Sequence, residues 1–125
     1  MPVSIYVDGA GGPNSGYGYY IKETGESFYE KKPGITNNQA EYLAIISTLK
    51  KFVKADDEVI IFSDSKNTVS QLNHEFAINN EPLRLLAREA WELIAQCSNL
   101  KIKWIPRQEN LAGKCLEARI FSEIH

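Results

Sequence analysis

The sequence predicts an α/β fold: a mixed sheet, antiparallel at its start and parallel in its remainder, with helices on both faces. Three observations predict it. Alternating runs rich in aromatic and β-branched residues come first, an apolar stripe at helical spacing follows, and strand and helix periods then alternate to the end of the chain.

Taken in order, Val3, Ile5 and Val7 alternate with Ser4, Tyr6 and Asp8, which is strand periodicity with β-branched residues on one face. Asp8 is expected at the strand end, where Gly9-Ala10-Gly11-Gly12-Pro13 lets the backbone turn and a ligand approach closely. Residues 16–21 and 26–30 are joined by Thr24-Gly25, a hairpin signal, so the opening is a three-stranded antiparallel meander. Thr36 with Gln39 three residues on is the reciprocal pattern that satisfies orphan amides at a helix start. Tyr42, Ile45, Ile46, Leu49, Phe52 and Val53 continue that helix as a stripe that needs a sheet to lie on. Residues 58–64 hold a continuous apolar run ending in Asp64, the pattern of a central parallel strand covered on both faces. Residues 67–72 predict a short helix, and Pro82 opens a longer one with Leu83, Leu86, Ala87, Ala90, Leu93 and Ile94 at helical spacing. Residues 99–105 alternate as a half-exposed strand stopped by Pro106, and a last helix is expected from about 111 towards 124.

At 125 residues and 43% hydrophobic content, residues 1–125 fit a single domain with an ordinary core. No stretch approaches membrane-spanning length and no leader pattern opens the chain, so a cytoplasmic monomer with no membrane partner is expected. Cys97 and Cys115 form no CxxC pair and have no His at ligand spacing, which makes them reduced, buried thiols. A net charge of −2 demands no nucleic-acid partner, so any such partner must meet a local cluster.

Parallel neighbours place their C-terminal ends on one edge of the sheet, where open α/β sheets bind ligands. Asp8 and Asp64 then face one another. Glu41, one turn ahead of Ile45 on the helix between them, can lean over the same edge. Burying like charges together costs several kcal/mol unless something neutralises them, so such a convergence is poor structure and good metal chemistry. Oxygen-only ligands select Mg²⁺ or Mn²⁺, and two such ions roughly 3.5–4 Å apart would activate water against a phosphodiester. Spacing alone is equally compatible with two strand-end turn residues and a solvated helix Glu.

Tyr6-Val7-Asp8-Gly9-Ala10, Thr36-Asn37-Asn38-Gln39-Ala40-Glu41 and Ile61-Phe62-Ser63-Asp64-Ser65 resemble, in order, the three leading motifs of type 1 ribonuclease H. The resemblance spans nearly the whole chain. It implies a ribonuclease H-like fold with a five-stranded mixed sheet, and endonucleolytic cleavage of the RNA strand of an RNA/DNA hybrid with two Mg²⁺ or Mn²⁺ ions. Asp8, Glu41 and Asp64 would be the catalytic metal ligands. Asn38 and Gln39 would reach the minor groove, where 2′-hydroxyls mark RNA, with Thr36 and Asn37 on the neighbouring backbone and Gly9 and Ala10 close to substrate. For Thr36, a plain helix cap is the competing role.

Two departures from the family pattern stand out. Longer bacterial members carry a basic, Trp-containing protrusion, whereas His74-Glu75-Phe76-Ala77-Ile78-Asn79-Asn80-Glu81 holds no Lys or Arg, so hybrid affinity should rest on fewer phosphate contacts. The fourth acidic position of the family falls on Lys114, or on Gly113 if one residue is missing, and the family's flexible His is absent from residues 104–109. Asn110 is then the candidate for a fourth, neutral catalytic metal ligand through its side-chain oxygen, with a helix cap as the competing role. His74 is expected on a surface loop, Trp91 and Trp104 in the core, and Lys50, Lys51 and Lys54 on a solvated face. The missing acid motivates one alternative, a catalytically weak or inactive hybrid-binding module. A 3′–5′ exonuclease would want an acid two residues after Asp8, and Ala10 is there.

Overall fold

A computed structural model describes residues 2–114. Its five strands lie in the order β3-β2-β1-β4-β5. β1 (Val3–Ala10), β2 (Gly16–Ile21) and β3 (Ser27–Lys31) form the antiparallel meander, and β4 (Val59–Ser63) pairs parallel with both β1 and β5 (Leu100–Trp104). The expected mixed sheet is present. β1 nevertheless runs past Asp8, because Gly9 and Ala10 still pair with Tyr17 and Gly16. The glycine-rich turn begins only after them.

α1 (Asn37–Phe52) starts on a complete capping box: Thr36 Oγ1 accepts from Gln39 N at 3.1 Å, and Gln39 Oε1 accepts from Thr36 N at 2.9 Å. Tyr42, Ile45 and Leu49 are fully buried against Ile5, Val7 and Ile61 of the sheet. α2 (Lys66–Leu72) and α3 (Glu81–Ile94) join the same core through Val69, Leu72, Leu83, Ala87 and Ala90. The described helices α1 to α3 thus share one face of the sheet. The other face carries Tyr6 stacked on Phe62 at 5.1 Å; residues 111–114 are helical, and the rest of the last helix expected from the sequence lies outside the described residues.

Several details differ from expectation. Trp104 is not core: it is 47% exposed, because β5 is an edge strand whose last residue outruns the helices. Cys97 is half-buried rather than buried, with its thiol donating to the Leu93 carbonyl, and Cys115 lies outside the described residues. A 3₁₀ turn, Arg107–Glu109, separates β5 from the final helix. Lys50 and Lys51 are solvated as expected, in exposed ion pairs with Glu89 at 3.4 Å and Glu26 at 3.1 Å that contribute little stability. His74 is on the surface, in a left-handed turn (φ 63°) with its ring stacked on half-buried Trp91 at 4.8 Å.

Candidate active site

The β1–β4 register sets Tyr6 beside Phe62, and two more residues along each strand direction bring Asp8 and Asp64 to the same edge. Glu41 comes down on them from α1. One carboxylate oxygen from each of the three lies within 4.8 Å of the other two, with Glu41 buried and Asp8 and Asp64 half-buried.

This approach of helix to strand depends on Gly9. A β-carbon there would stand 2.7 Å from the Ala40 Cβ, so any side chain would push α1, and Glu41 with it, off the sheet. The Gly9 amide instead donates to Glu41 Oε1 at 3.2 Å. Glu41 Oε2 accepts from the Ser63 hydroxyl at 3.2 Å, and Ser63 Oγ in turn accepts from Ser65 N at 3.0 Å. Both oxygens of the deepest acid are therefore held by the two strands that carry the others. Ser63 was not among the expected site residues, yet a signal existed: it is fully buried at a position where β4 alternation, after Val59 and Ile61, calls for an apolar side chain.

Crowding in a desolvated edge raises the proton affinity of Asp8 and Glu41. Burial first, and then the negative charge of Asp64, push Asp8 up to about 6, against the opposing pull of its contact with Glu41, the Gly9 amide and the Arg107 guanidinium. Glu41 is raised well above the usual carboxylate range by its burial and by the charges of Asp8 and Asp64. Arg107 is a second residue the sequence did not single out, and its place in the 3₁₀ turn brings its charge to bear on Asp8.

Asn110 departs from expectation. Its side chain is fully buried, but the amide nitrogen, not the oxygen, faces the acids: Nδ2 donates to the Val7 carbonyl at 2.8 Å and to Asp64 Oδ2 at 3.1 Å. The oxygen accepts from Ala112 N at 3.0 Å and so caps the final helix. The Val7 carbonyl can only accept, which fixes this orientation, and Asn110 positions Asp64 rather than offering an oxygen to a cation. Gly113 also lies beside the cluster, since a β-carbon there would meet Asp8 Oδ2 at 3.3 Å, while Lys114 is exposed.

The residues expected near substrate gather at the start of α1. Asn37 Oδ1 accepts from Gly11 N at 2.6 Å and ties the glycine-rich turn to the helix. Thr36 and Gln39 are engaged in the capping box, which leaves the Gln39 and Asn37 amide nitrogens and the exposed Asn38 as groups that could meet a ligand. Gly9 and Ala10 are sheet-paired, and the Gly9 amide is committed to Glu41. Glu41 is buried, and Asp8 and Asp64 keep part of their surface exposed. Two grooves of about 460 and 440 Å³ flank the His74–Trp91 stack, and neither is lined by a member of the cluster.

Sheet order, parallel crossover and a three-carboxylate edge define the class, a ribonuclease H-like hydrolase fold. Residues 24–118 match the family model described as reverse transcriptase-like, and the chain belongs to that family. It is similar to EbsB of Enterococcus faecalis, whose name assigns it provisionally to the hydrolases, with 28% identity over 97% of this chain and 95% of the relative. Among solved structures it is similar to the N-terminal RNase H domain of rv2228c from Mycobacterium tuberculosis (27% identity, TM-score 0.80, 98% of this chain and 99% of that one). RNase H1 of the halophilic archaeon Halobacterium salinarum gives 27% identity and a TM-score of 0.82, over 93% of this chain and 94% of that one. The fold is also shared with LC11-RNase H1, solved in complex with RNA/DNA hybrid, at 24% identity, TM-score 0.80, and coverage of 91% and 92%.

Proposed function

We propose that this protein is a metal-dependent ribonuclease H, an endonuclease that hydrolyses the RNA strand of RNA/DNA hybrids as a single-domain cytoplasmic monomer. The observation that carries the reading is the convergence of Asp8, Glu41 and Asp64 within 4.8 Å on the edge of a ribonuclease H-like sheet. The donor set fits a hard divalent cation: all ligand atoms are carboxylate oxygens, and burial together with mutual repulsion leaves them in need of positive charge.

Asp8, Glu41 and Asp64 would hold Mg²⁺ or Mn²⁺, which when bound in a two-ion arrangement supplies an activated water and neutralises charge on the phosphodiester. The chain's own part is positioning. Gly9 and Ser63 fix Glu41, and Asn110 fixes Asp64. The amide groups of Asn37, Asn38 and Gln39 offer donors to 2′-hydroxyls and backbone across the minor groove, which gives a hybrid its advantage over duplex DNA. Thr36 serves by capping the helix that carries them.

A second reading, a catalytically weak or inactive hybrid-binding module, is favoured by one observation: Asn110, which reaches Asp64 from the segment after β5, turns a nitrogen to the site. A labelled hybrid incubated with Mg²⁺ and with Mn²⁺, beside duplex DNA and single-stranded RNA, separates the two. Metal-dependent cuts confined to the RNA strand of the hybrid establish the enzyme. Tight hybrid binding without cleavage in either metal establishes the module.

A further inference from the structure

Trp104 stands at the C-terminal end of β5 with 47% of its surface exposed. Exposed indole is a poor choice for water and a good one for a partner with flat apolar faces. Its mounting is unusually firm. The backbone at Trp104 is registered against Ser63, the following amide of Ile105 donates to the Ser63 carbonyl at 2.9 Å, and the indole Nε1 donates to the Asp64 carbonyl at 3.1 Å. The ring is thus fixed to the same two residues that hold Glu41 and contribute a carboxylate to the cluster. Its nitrogen is spent inward, and much of the rest of the side chain remains open.

From this geometry we propose that Trp104 is a substrate-contacting residue: its indole forms a stacking surface for a nucleotide of the hybrid that flanks the scissile phosphate. Every base and its sugar present flat or apolar surface, so a fixed aromatic ring contributes affinity without reading sequence. A ring already locked by hydrogen bonds loses little rotamer freedom on binding. Net charge is −2, so contacts that do not depend on cation–phosphate pairing carry a larger share of affinity here.

The inference rests on the hybrid reading above, and the test separates the two. Trp104 and Trp91 are the two tryptophans of the chain, so indole emission reports the site directly. The cleavage-deficient Asp8→Asn protein is titrated with an unlabelled RNA/DNA hybrid while emission is followed, and binding is measured independently by anisotropy of a labelled hybrid. Emission should change along the binding curve, and the change should vanish in Asp8→Asn/Trp104→Phe, where half-buried Trp91 alone remains. Trp104→Ala should weaken hybrid binding about tenfold. In the otherwise unmodified protein it should raise KM with kcat nearly constant. A purely structural role would lower the melting temperature of Trp104→Ala but leave the emission of the Trp104-containing protein blind to hybrid. Hybrid that binds without an emission change, or binds Trp104→Ala as tightly, overturns the stacking role alone. Failure of every form to bind hybrid overturns it together with the hybrid reading.

Discussion

The two sides of the acid cluster are built on opposite principles. On the sheet side, β1, α1 and β4 each deliver one carboxylate, and the protein donors around them, Gly9 N–H and Ser63 O–H, orient negative charge without cancelling it. On the side formed by the chain from β5 into the final helix, no described side chain adds an acid to the cluster: Arg107, the Asn110 amide nitrogen, Gly113 and Lys114 stand there instead. The first side offers three carboxylates to a cation, and among the described residues the second adds none to the cluster. Cation binding should therefore depend steeply on the sheet side and only through geometry on the other.

The largest expected effect tests the sheet side. Asp64→Asn removes one ligand charge while keeping the shape of the side chain, and should lower hybrid cleavage by about 10³-fold or more, since metal-borne charge stabilisation is worth several kcal/mol. The metal-free variant should melt no lower than the parent, because repulsion among the acids is relieved. Cleavage at the parental rate in saturating metal would remove Asp64 from the site.

Asn110 provides the matching test of the other side. Asn110→Ala deletes a buried group that satisfies the Val7 carbonyl, holds Asp64 and caps a helix, which should cost about 2–4 kcal/mol of stability in a chemical denaturation. Asn110→Asp is more informative. It sets a carboxylate against both the Val7 carbonyl and Asp64, so the metal-free variant should also be destabilised, and Mg²⁺ should restore more stability to it than to the parent. An Asn110→Asp protein as stable as the parent without metal would mean that the amide nitrogen does not face Asp64.

Much of the sheet side was legible in the sequence because strand alternation, a capping box and an Asp near the C-terminal end of each of two parallel neighbours bring three acids towards one edge of the sheet. For Asn110 the competing helix-cap role is the one its oxygen takes, and the expected ligand role is not, because the amide nitrogen turns to Asp64. The fragment Asn110-Leu111-Ala112-Gly113-Lys114 tells which groups are near the helix start, but which end of an amide turns inward is decided by the Val7 carbonyl, 103 residues away in sequence. Trp104 was misplaced for a related reason: its alternation matches buried Ile102, and only the position of β5 at the sheet edge leaves it uncovered. Long-range partners and edges are not written in local periodicity.

A smaller effect concerns protons. Asp8, with its folded value near 6, and Glu41, raised in the same direction, bind protons more tightly in the folded protein than in the unfolded chain. The contribution of Asp8 to stability is complete below the ordinary carboxylate value of 3.8 and is lost as pH rises through about 6, and that of Glu41 is lost in the same direction. In EDTA, the cluster should therefore make the protein less stable at pH 7 than at pH 5. Mg²⁺ binds the deprotonated acids, so its stabilising effect should be larger at pH 7, by a few degrees in a thermal melt. An Mg²⁺-induced shift that is larger at pH 5 would contradict the assignment of the raised groups to the metal-holding side.

The smallest expected effect is on salt. Each Lys or Arg that pairs with a phosphate adds about 0.9 to the slope of log affinity against log salt on a duplex. Residues 74–81 carry no cation, Lys50 and Lys51 are paired with Glu89 and Glu26, and Arg84 is held by the Ile78 carbonyl and Glu81. Arg88 lines the groove beside the His74–Trp91 stack, away from the acids, and Arg107 is turned towards Asp8. Lys66 at the start of α2, Lys103 near the end of β5 and Lys114 are exposed beside the elements that hold the acids and remain to meet the hybrid backbone. The affinity of the cleavage-deficient Asp8→Asn protein should therefore fall with a slope no steeper than about −3 between 50 and 200 mM salt, the equivalent of roughly three phosphate contacts. Trp104→Ala should shift that line to weaker affinity without changing its slope, since an indole releases no counterions. A slope near −6 would mean that further cations serve the hybrid, and that the protein binds chiefly by charge despite its acidic balance.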